Sequence, residues 1–223
     1  MIIRFERREE LQPNIWQYYF RPERPVDFVA GQYAEFHMLT PLRDPRGQSR
    51  TFTLTSLPED DLLSFIVKTV TPLSPYKQVL ATLQPGAELR IDDAMGDLIL
   101  PKLPTQPLVF VAGGIGMASF VSMLTLLTRR QEQRAIYLFY ALRSRREQIY
   151  RELVDGYPLE LKQLIYAPNR LTAPEIIATT PPSALIYLSG SQQFVEGLRA
   201  DLAGLGTPHE RIVFDYFDGY AEL

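Results

Sequence analysis

The sequence predicts two domains: an N-terminal antiparallel β-barrel and a C-terminal α/β domain built on a doubly wound parallel sheet. Three observations predict it. Up to about Pro101, short β-rich segments alternate with Pro/Gly turns, as in a small barrel. After Pro104, apolar strand-like runs alternate with helical stripes, as in a parallel sheet covered by helices. Between these regimes, Pro101, Pro104 and Pro107 mark 101–107 as a linker. The chain has 223 residues, room for two small domains, and its 46% apolar and 22% charged residues are ordinary for a globular protein.

In the first half, 15–20, 32–39, 50–56 and 63–69 read as strands. Ala34, Phe36 and Met38 alternate with Tyr33, Glu35 and His37, the period of a half-buried strand. Tyr76, Val79, Leu80 and Leu83 fall on one face of a helix that Pro75 opens and Gly86 follows. In the second half, 108–112 is a short apolar run closed by Gly113-Gly114. A helix with Phe120, Leu124 and Leu127 on one side follows and ends at Arg129-Arg130. Strands at 136–141, 161–167, 184–188 and 211–217 alternate with helices. One helix is expected around 147–154; another opens with a capping box, Thr172 as cap and Glu175 three residues on; the last carries Phe194, Val195, Leu198 and Leu202. No internal repeat or low-complexity segment is visible.

Composition removes several classes of function. The net charge is -3, from 23 basic and 26 acidic residues, so nothing electrostatic favours nucleic acid or an anionic membrane as partner. With no cysteine there is no disulfide, thiolate zinc site or cysteine-held iron–sulfur cluster on this chain. His37 and His209 are the only imidazoles, so no protein-bound transition metal is expected. The charged start, Met1 to Glu10, does not read as a signal peptide, and no apolar run approaches the ~20 residues that span a bilayer. A cytoplasmic protein, monomeric or weakly dimeric, is the expectation.

Three segments carry candidate chemistry. Val111-Ala112-Gly113-Gly114-Ile115-Gly116 joins a strand to a helix, where glycines let a backbone approach a pyrophosphate and the helix start offers N–H donors. A purely structural turn reads equally well, since G-G-x-G is not the full dinucleotide fingerprint. Arg50-Thr51-Phe52-Thr53 places an arginine fork three residues before a hydroxyl, suited to a phosphate and a heteroaromatic nitrogen, or is simply a threonine-rich strand with an exposed arginine. Asp215-Tyr216-Phe217-Asp218-Gly219-Tyr220 offers aromatics that either stack on a ring system or fill a core.

In this order and spacing the segments resemble the ferredoxin–NADP reductase superfamily across nearly the whole chain. Ala30-Gly31-Gln32-Tyr33 is similar to its P-G-Q-Y strand entry and Arg50-Thr51-Phe52-Thr53 to its R-x-Y-[ST] motif. Leu80, Leu83 and Gly86, then Met95-Gly96-Asp97 and Leu100-Pro101, resemble the close of the flavin domain. Ala112-Gly113-Gly114-Ile115-Gly116 resembles A-G-G-I-G, Tyr187-Leu188-Ser189-Gly190 the later x-x-C-G, and Phe217-Asp218-Gly219-Tyr220 the closing F-x-G-Y.

The resemblance implies an FAD-binding barrel over residues 1–102 and an NAD(P)-binding α/β domain over residues 103–223. Arg50 would grip the FAD pyrophosphate, Thr53 would bond near flavin N5, and Phe52 would replace the family's tyrosine, with Thr51 between them. The flavin site would extend to Val67 and Lys68 and to Ser74, Tyr76 and Lys77, where Ser74-Pro75-Tyr76-Lys77 replaces the family's G-x-x-S. Gly113, Gly114 and Gly116 would bound the pyrophosphate of NADPH or NADH. Ser189 stands where the family has cysteine; Phe217 would shield the flavin, with Asp215 at the family's acid position. Thr53, Ser189, Phe217 and Asp215 are thus the candidate catalytic set, and no side chain need act as acid or base, because the cofactors carry the redox chemistry.

Arg143, Ser144 and Arg145, with Arg146, follow the second parallel strand, where a ribose or a 2′-phosphate is read. Three arginines suit NADPH; the adjacent Glu147 argues the other way, and a solvated basic loop is an equal reading. The implied activity moves electrons between NAD(P)H and a separate acceptor, a ferredoxin, a flavodoxin or a partner subunit. Two alternatives stand beside it: a flavin reductase using free flavin as substrate, to which R-x-F-[ST] is also similar, and a non-catalytic electron-transfer subunit.

Overall fold

A computed structural model describes residues 1–157, 161–166 and 171–217, and in 161–166 the backbone alone. The chain divides into two units, Met1–Ile99 and Leu100–Leu223.

The first unit is a six-stranded antiparallel sheet. Its strands are β1 (Ile2–Gln12), β2 (Ile15–Pro22), β3 (Tyr33–Met38), β4 (Ser49–Thr53), β5 (Leu63–Lys68) and β6 (Glu88–Ile91), in the order β4-β3-β6-β1-β2-β5. The end strands β4 and β5 form no ladder with each other, yet the sheet curls until they approach. The Thr55 N–H, just past β4, donates to Ser64 O at 2.8 Å, and the Phe52 and Phe65 rings stack 4.3 Å apart. The result is an incompletely closed barrel. Phe65 is its hub, with ring centroids of Tyr18, Phe20 and Phe36 at 5.7, 5.4 and 4.5 Å. Buried aromatic contacts of this kind dominate core energetics.

Two of these strands are absent from the sequence expectation. β1 begins with alternation, Ile3 and Phe5 buried and Arg4 out, then breaks register between Phe5 and Arg7. Its charged half survives as a strand because β2 supplies cross-strand partners: Arg21 Nε donates to Glu6 at 2.6 Å, and Arg7 lies 3.8 Å from the centroid of the Tyr19 ring. β6 has only four residues and shows its alternation through Leu89 and Ile91 alone, yet it bridges β3 and β1. Helix α1 (Pro75–Ala81) is capped by Ser74, whose Oγ accepts from the Lys77 N–H at 3.4 Å. It buries Tyr76 and Leu80 in the barrel core.

The second unit is a five-stranded parallel sheet in the order β11-β10-β7-β8-β9. Its strands are β7 (Leu108–Gly113), β8 (Ile136–Ala141), β9 (Leu161–Tyr166), β10 (Leu185–Ser191) and β11 (Ile212–Phe217). β7 is apolar on both faces because both are covered. Helix α2 (Ala118–Arg130) covers the Phe110 face, with Phe120 stacked on Phe110 at 4.6 Å. Helices α4 (Ala173–Thr179) and α5 (Gln192–Gly204) cover Val109 and Val111 through Ile176, Val195, Leu198 and Leu202. The capping box holds: Glu175 accepts from the Thr172 N–H at 2.9 Å and from its hydroxyl at 2.7 Å.

The helix expected around 147–154 is corrected. A 3₁₀ turn over Arg145–Glu147 is followed by the short α3 (Arg151–Asp155), with Tyr150 between them at φ 53. A left-handed residue cannot continue a helix, so the apolar periodicity there spans two pieces. Ala167 of the third parallel strand, and Asp218, Gly219 and Tyr220 of the terminal motif, lie outside the described residues.

Candidate functional site

Two clusters, one in each unit, contain the residues singled out above.

The first is on β4 and α1. Strand alternation turns Arg50 and Phe52 to the same side. Phe52 stacks on Phe65, and the Arg50 guanidinium lies 5.1 Å from the centroid of the Tyr76 ring. Arg50 Nη1 donates to the carbonyls of Ser49, Arg46 and Gly47 at 2.5, 3.2 and 3.3 Å, and Nη2 to the Asp44 carboxylate. The Arg50 Nε is buried without a hydrogen-bond partner, and so is the Thr53 Oγ1. Buried polar atoms are normally bonded, and an exception points to a missing ligand or water. The two orphans lie on β4 three residues apart, on opposite sides by the same alternation. Each fits a group that FAD carries, an oxyanion at Arg50 and a hydrogen-bonding ring at Thr53.

The neighbouring candidates have other partners. Tyr76 is buried in the core and its hydroxyl donates to Phe36 O at 3.0 Å; burial pushes its phenol well above the usual range, with the Arg50 charge opposing. Val67 is likewise a core residue. Lys77 Nζ donates to the Lys68 carbonyl at 2.7 Å, while the Lys68 side chain is exposed. Thr51 is exposed.

Asp44 escaped the sequence reading. Its side chain is 2% exposed, and besides Arg50 it accepts from the Tyr76 N–H at 3.2 Å and the Arg46 N–H at 3.0 Å. Burial alone would raise its pKa. The two N–H bonds and the charges of Arg50 and Arg46 outweigh burial and hold it below the usual carboxylate range. The signal was present: Asp44-Pro45-Arg46-Gly47 has the Asp, Pro and Gly positions of a type I turn, closed by the Gly47 N–H to Asp44 O at 2.9 Å.

The second cluster lies where β7 and β10 end side by side. The chain runs from β7 through β8 to β9 and crosses back to β10, which makes this the topological switch point, the crevice where such sheets bind ligands. Ala112, Ser189 and Asp215 stand in one row across β7, β10 and β11, and Phe217 lies opposite Ser191 at the end of β11. A 3₁₀ turn over Gly114–Met117 leads from β7 into α2. A Cβ on Gly116 would stand 2.2 Å from Ser189 O, and one on Gly113 would stand 2.7 Å from Phe194 Cδ1. Those two glycines are therefore required by packing within the unit. Gly114 differs: its φ is +53 and nothing lies within 4 Å of an added Cβ, leaving its backbone open to a ligand.

Ser189 is fully buried, and its hydroxyl shares a 3.0 Å hydrogen bond with the Ser119 hydroxyl. Phe194, which the periodicity assigned only to a helix stripe, packs against Gly113 and Gly190 at the crevice. Beyond β8, Arg143 and Arg145 are exposed and Ser144 accepts from the Arg146 N–H at 3.3 Å.

Among the described residues one group could hold a cation, Glu35, His37 and Asp92. His37 Nε2 lies 2.7 Å from Asp92 Oδ2, while Arg90 takes the other Asp92 oxygen and the Ser49 hydroxyl donates to Glu35. Protein groups alone account for this network. No helix among the described residues is long and apolar enough to cross a membrane.

Comparison with known proteins gives one family match: residues 110–175 fit the oxidoreductase NAD-binding domain. Flavohemoprotein A of Dictyostelium discoideum is 21% identical over 95% of this chain and 59% of its own length. The ferredoxin–NAD(P)(+) reductase component of the naphthalene 1,2-dioxygenase system of Pseudomonas putida is 25% identical over 88% of this chain and 62% of its own. The chain thus spans less than two thirds of these curated relatives. A solved ferredoxin NADP+ reductase from Neisseria gonorrhoeae, with bound FAD and NADP, superposes with a TM-score of 0.80 at 18% identity, covering 97% of this chain and 98% of that one.

Proposed function

The chain belongs to the ferredoxin–NADP reductase superfamily, and from that premise we propose that it is an FAD-dependent oxidoreductase moving electrons between NAD(P)H and a separate redox acceptor. One observation carries the flavin half of this reading: the pair of orphaned buried polar atoms, Arg50 Nε and Thr53 Oγ1, on the strand whose sequence resembles the flavin motif. When bound, FAD accepts a hydride and releases electrons singly or in pairs. The chain's own residues bind and orient. Arg50 offers a cation to the pyrophosphate, Thr53 a hydroxyl to the ring, and Phe52 an apolar face. Gly114 supplies an open backbone at the switch point, and Arg143 and Arg145 offer charge to the ribose end of the nucleotide.

The acceptor proposed is a ferredoxin-like protein or a partner subunit. Support comes from the relatives described as reductase components of dioxygenase systems. The pairing of Arg50 with Asp44 favours a second reading, in which flavin is exchanged rather than kept. Equilibrium gel filtration with FAD, followed by NAD(P)H oxidation with ferricyanide as acceptor, tests the proposal. The result expected is one FAD per chain and turnover that requires it. A chain that takes up no FAD at saturating concentration contradicts the reading.

A further inference from the structure

We propose that the Asp44 carboxylate is a built-in competitor for Arg50, so that a phosphate-bearing ligand enters this subsite only by displacing it. Asp44 thereby sets the affinity for phosphate-bearing flavins. Its application to flavin rests on the function proposed above; the competition for an anion rests on the geometry alone.

A carboxylate and a phosphate ask for the same donors. Asp44 already holds the set a phosphate oxygen would use: Arg50 Nη2, the Tyr76 N–H and the Arg46 N–H. Its side chain is only 2% exposed, so it fills the place rather than bordering it. It also fills it incompletely, because the adjacent Arg50 Nε stays buried and unpartnered. A phosphate, with more oxygens than a carboxylate, can reach that last donor as well. Asp44 also cancels the Arg50 charge. With the carboxylate displaced, the Arg50 charge would face the ligand.

The segment that carries Asp44 is held by polar contacts and has little apolar packing. Leu39, Thr40, Pro41, Arg43, Pro45, Arg46, Gly47 and Gln48 are exposed, and Leu42 alone packs on the core. Gly47, at φ +79, has nothing within 4 Å of an added Cβ. Segments with few buried apolar contacts open at low cost.

Inorganic pyrophosphate, titrated calorimetrically into the full chain, tests the competition directly. Asp44→Asn, which keeps the shape and removes the charge, is expected to tighten pyrophosphate by roughly tenfold, the worth of one charge-assisted contact. Asp44→Ser should do the same, and adding Arg50→Ala should abolish the gain. FAD should tighten in parallel, with riboflavin, which lacks phosphate, unchanged. In the unmodified protein, pyrophosphate should speed trypsin cleavage after Arg46, a readout independent of how the variants fold. Unchanged or weaker pyrophosphate binding in both Asp44 variants, or cleavage that is unchanged or slowed, overturns the proposal; weaker binding would make Asp44 a residue that orients Arg50. Tighter pyrophosphate with no FAD uptake by any variant upholds the competition and defeats the flavin reading instead.

Discussion

Gly114 and Gly116 stand two residues apart in one turn and answer to different physics. Gly116 lacks room, since its Cβ would meet the Ser189 carbonyl, while Gly114 has room but needs a left-handed backbone. Gly116→Ala is therefore expected to destabilise the protein by roughly 3 kcal/mol, because backbone must move, and Gly114→Ala by about 1 kcal/mol. Calorimetric melting of the two variants checks this; equal losses would mean that the β10 backbone yields. The G-G-x-G pattern was legible in the sequence, but which glycine serves packing and which faces outward was not. That depends on Ser189 and Phe194, brought to the turn by a crossover no local pattern reports. Ser189 shows the same limit: its alignment suggests a group offered to a ligand, and its burial against Ser119 appears only with the sheet assembled.

At the scale of elements, the sequence is most legible where one chemistry fills both faces. β7 and β8 are apolar runs because helices cover them, and β8 is found at the expected limits, Ile136–Ala141. β1 is the opposite case. Its Arg7-Arg8-Glu9-Glu10 half reads as a solvated charge run, and only pairing with β2 makes it a strand. The turn after β8 places Arg143 and Arg145 in solvent at the end of a strand adjacent to β7. If it reads a 2′-phosphate, Arg145→Ala should raise the KM for NADPH roughly tenfold, by loss of one charged contact, and leave that for NADH nearly unchanged. Steady-state kinetics with both nucleotides decide it, and equal shifts would remove this turn from nucleotide selection.

Across the whole molecule, each unit closes around buried tyrosines that must remain protonated. Burial pushes the Tyr187 phenol up to about 12, against a smaller opposing pull from Arg134, and burial raises Tyr76 as well. An acid whose pKa is higher folded than unfolded binds more protons in the native state. Its contribution is complete below the unfolded value of 10.0 and is lost as pH rises through the folded value. Stability should therefore be level through neutral pH and fall steeply above about pH 10, with the last part of the phenolate absorbance, that of the buried rings, appearing together with loss of structure. Ionisation of every tyrosine at full structure would contradict the burial of these rings.

The function proposed for this chain is to pass electrons from a nicotinamide dinucleotide to bound FAD. Its most direct test is the visible spectrum of the FAD-reconstituted protein, recorded anaerobically before and after one equivalent of NADPH or NADH. Flavin bands present at the start should bleach on addition of at least one nucleotide. Bound flavin that stays oxidised with both nucleotides would contradict it.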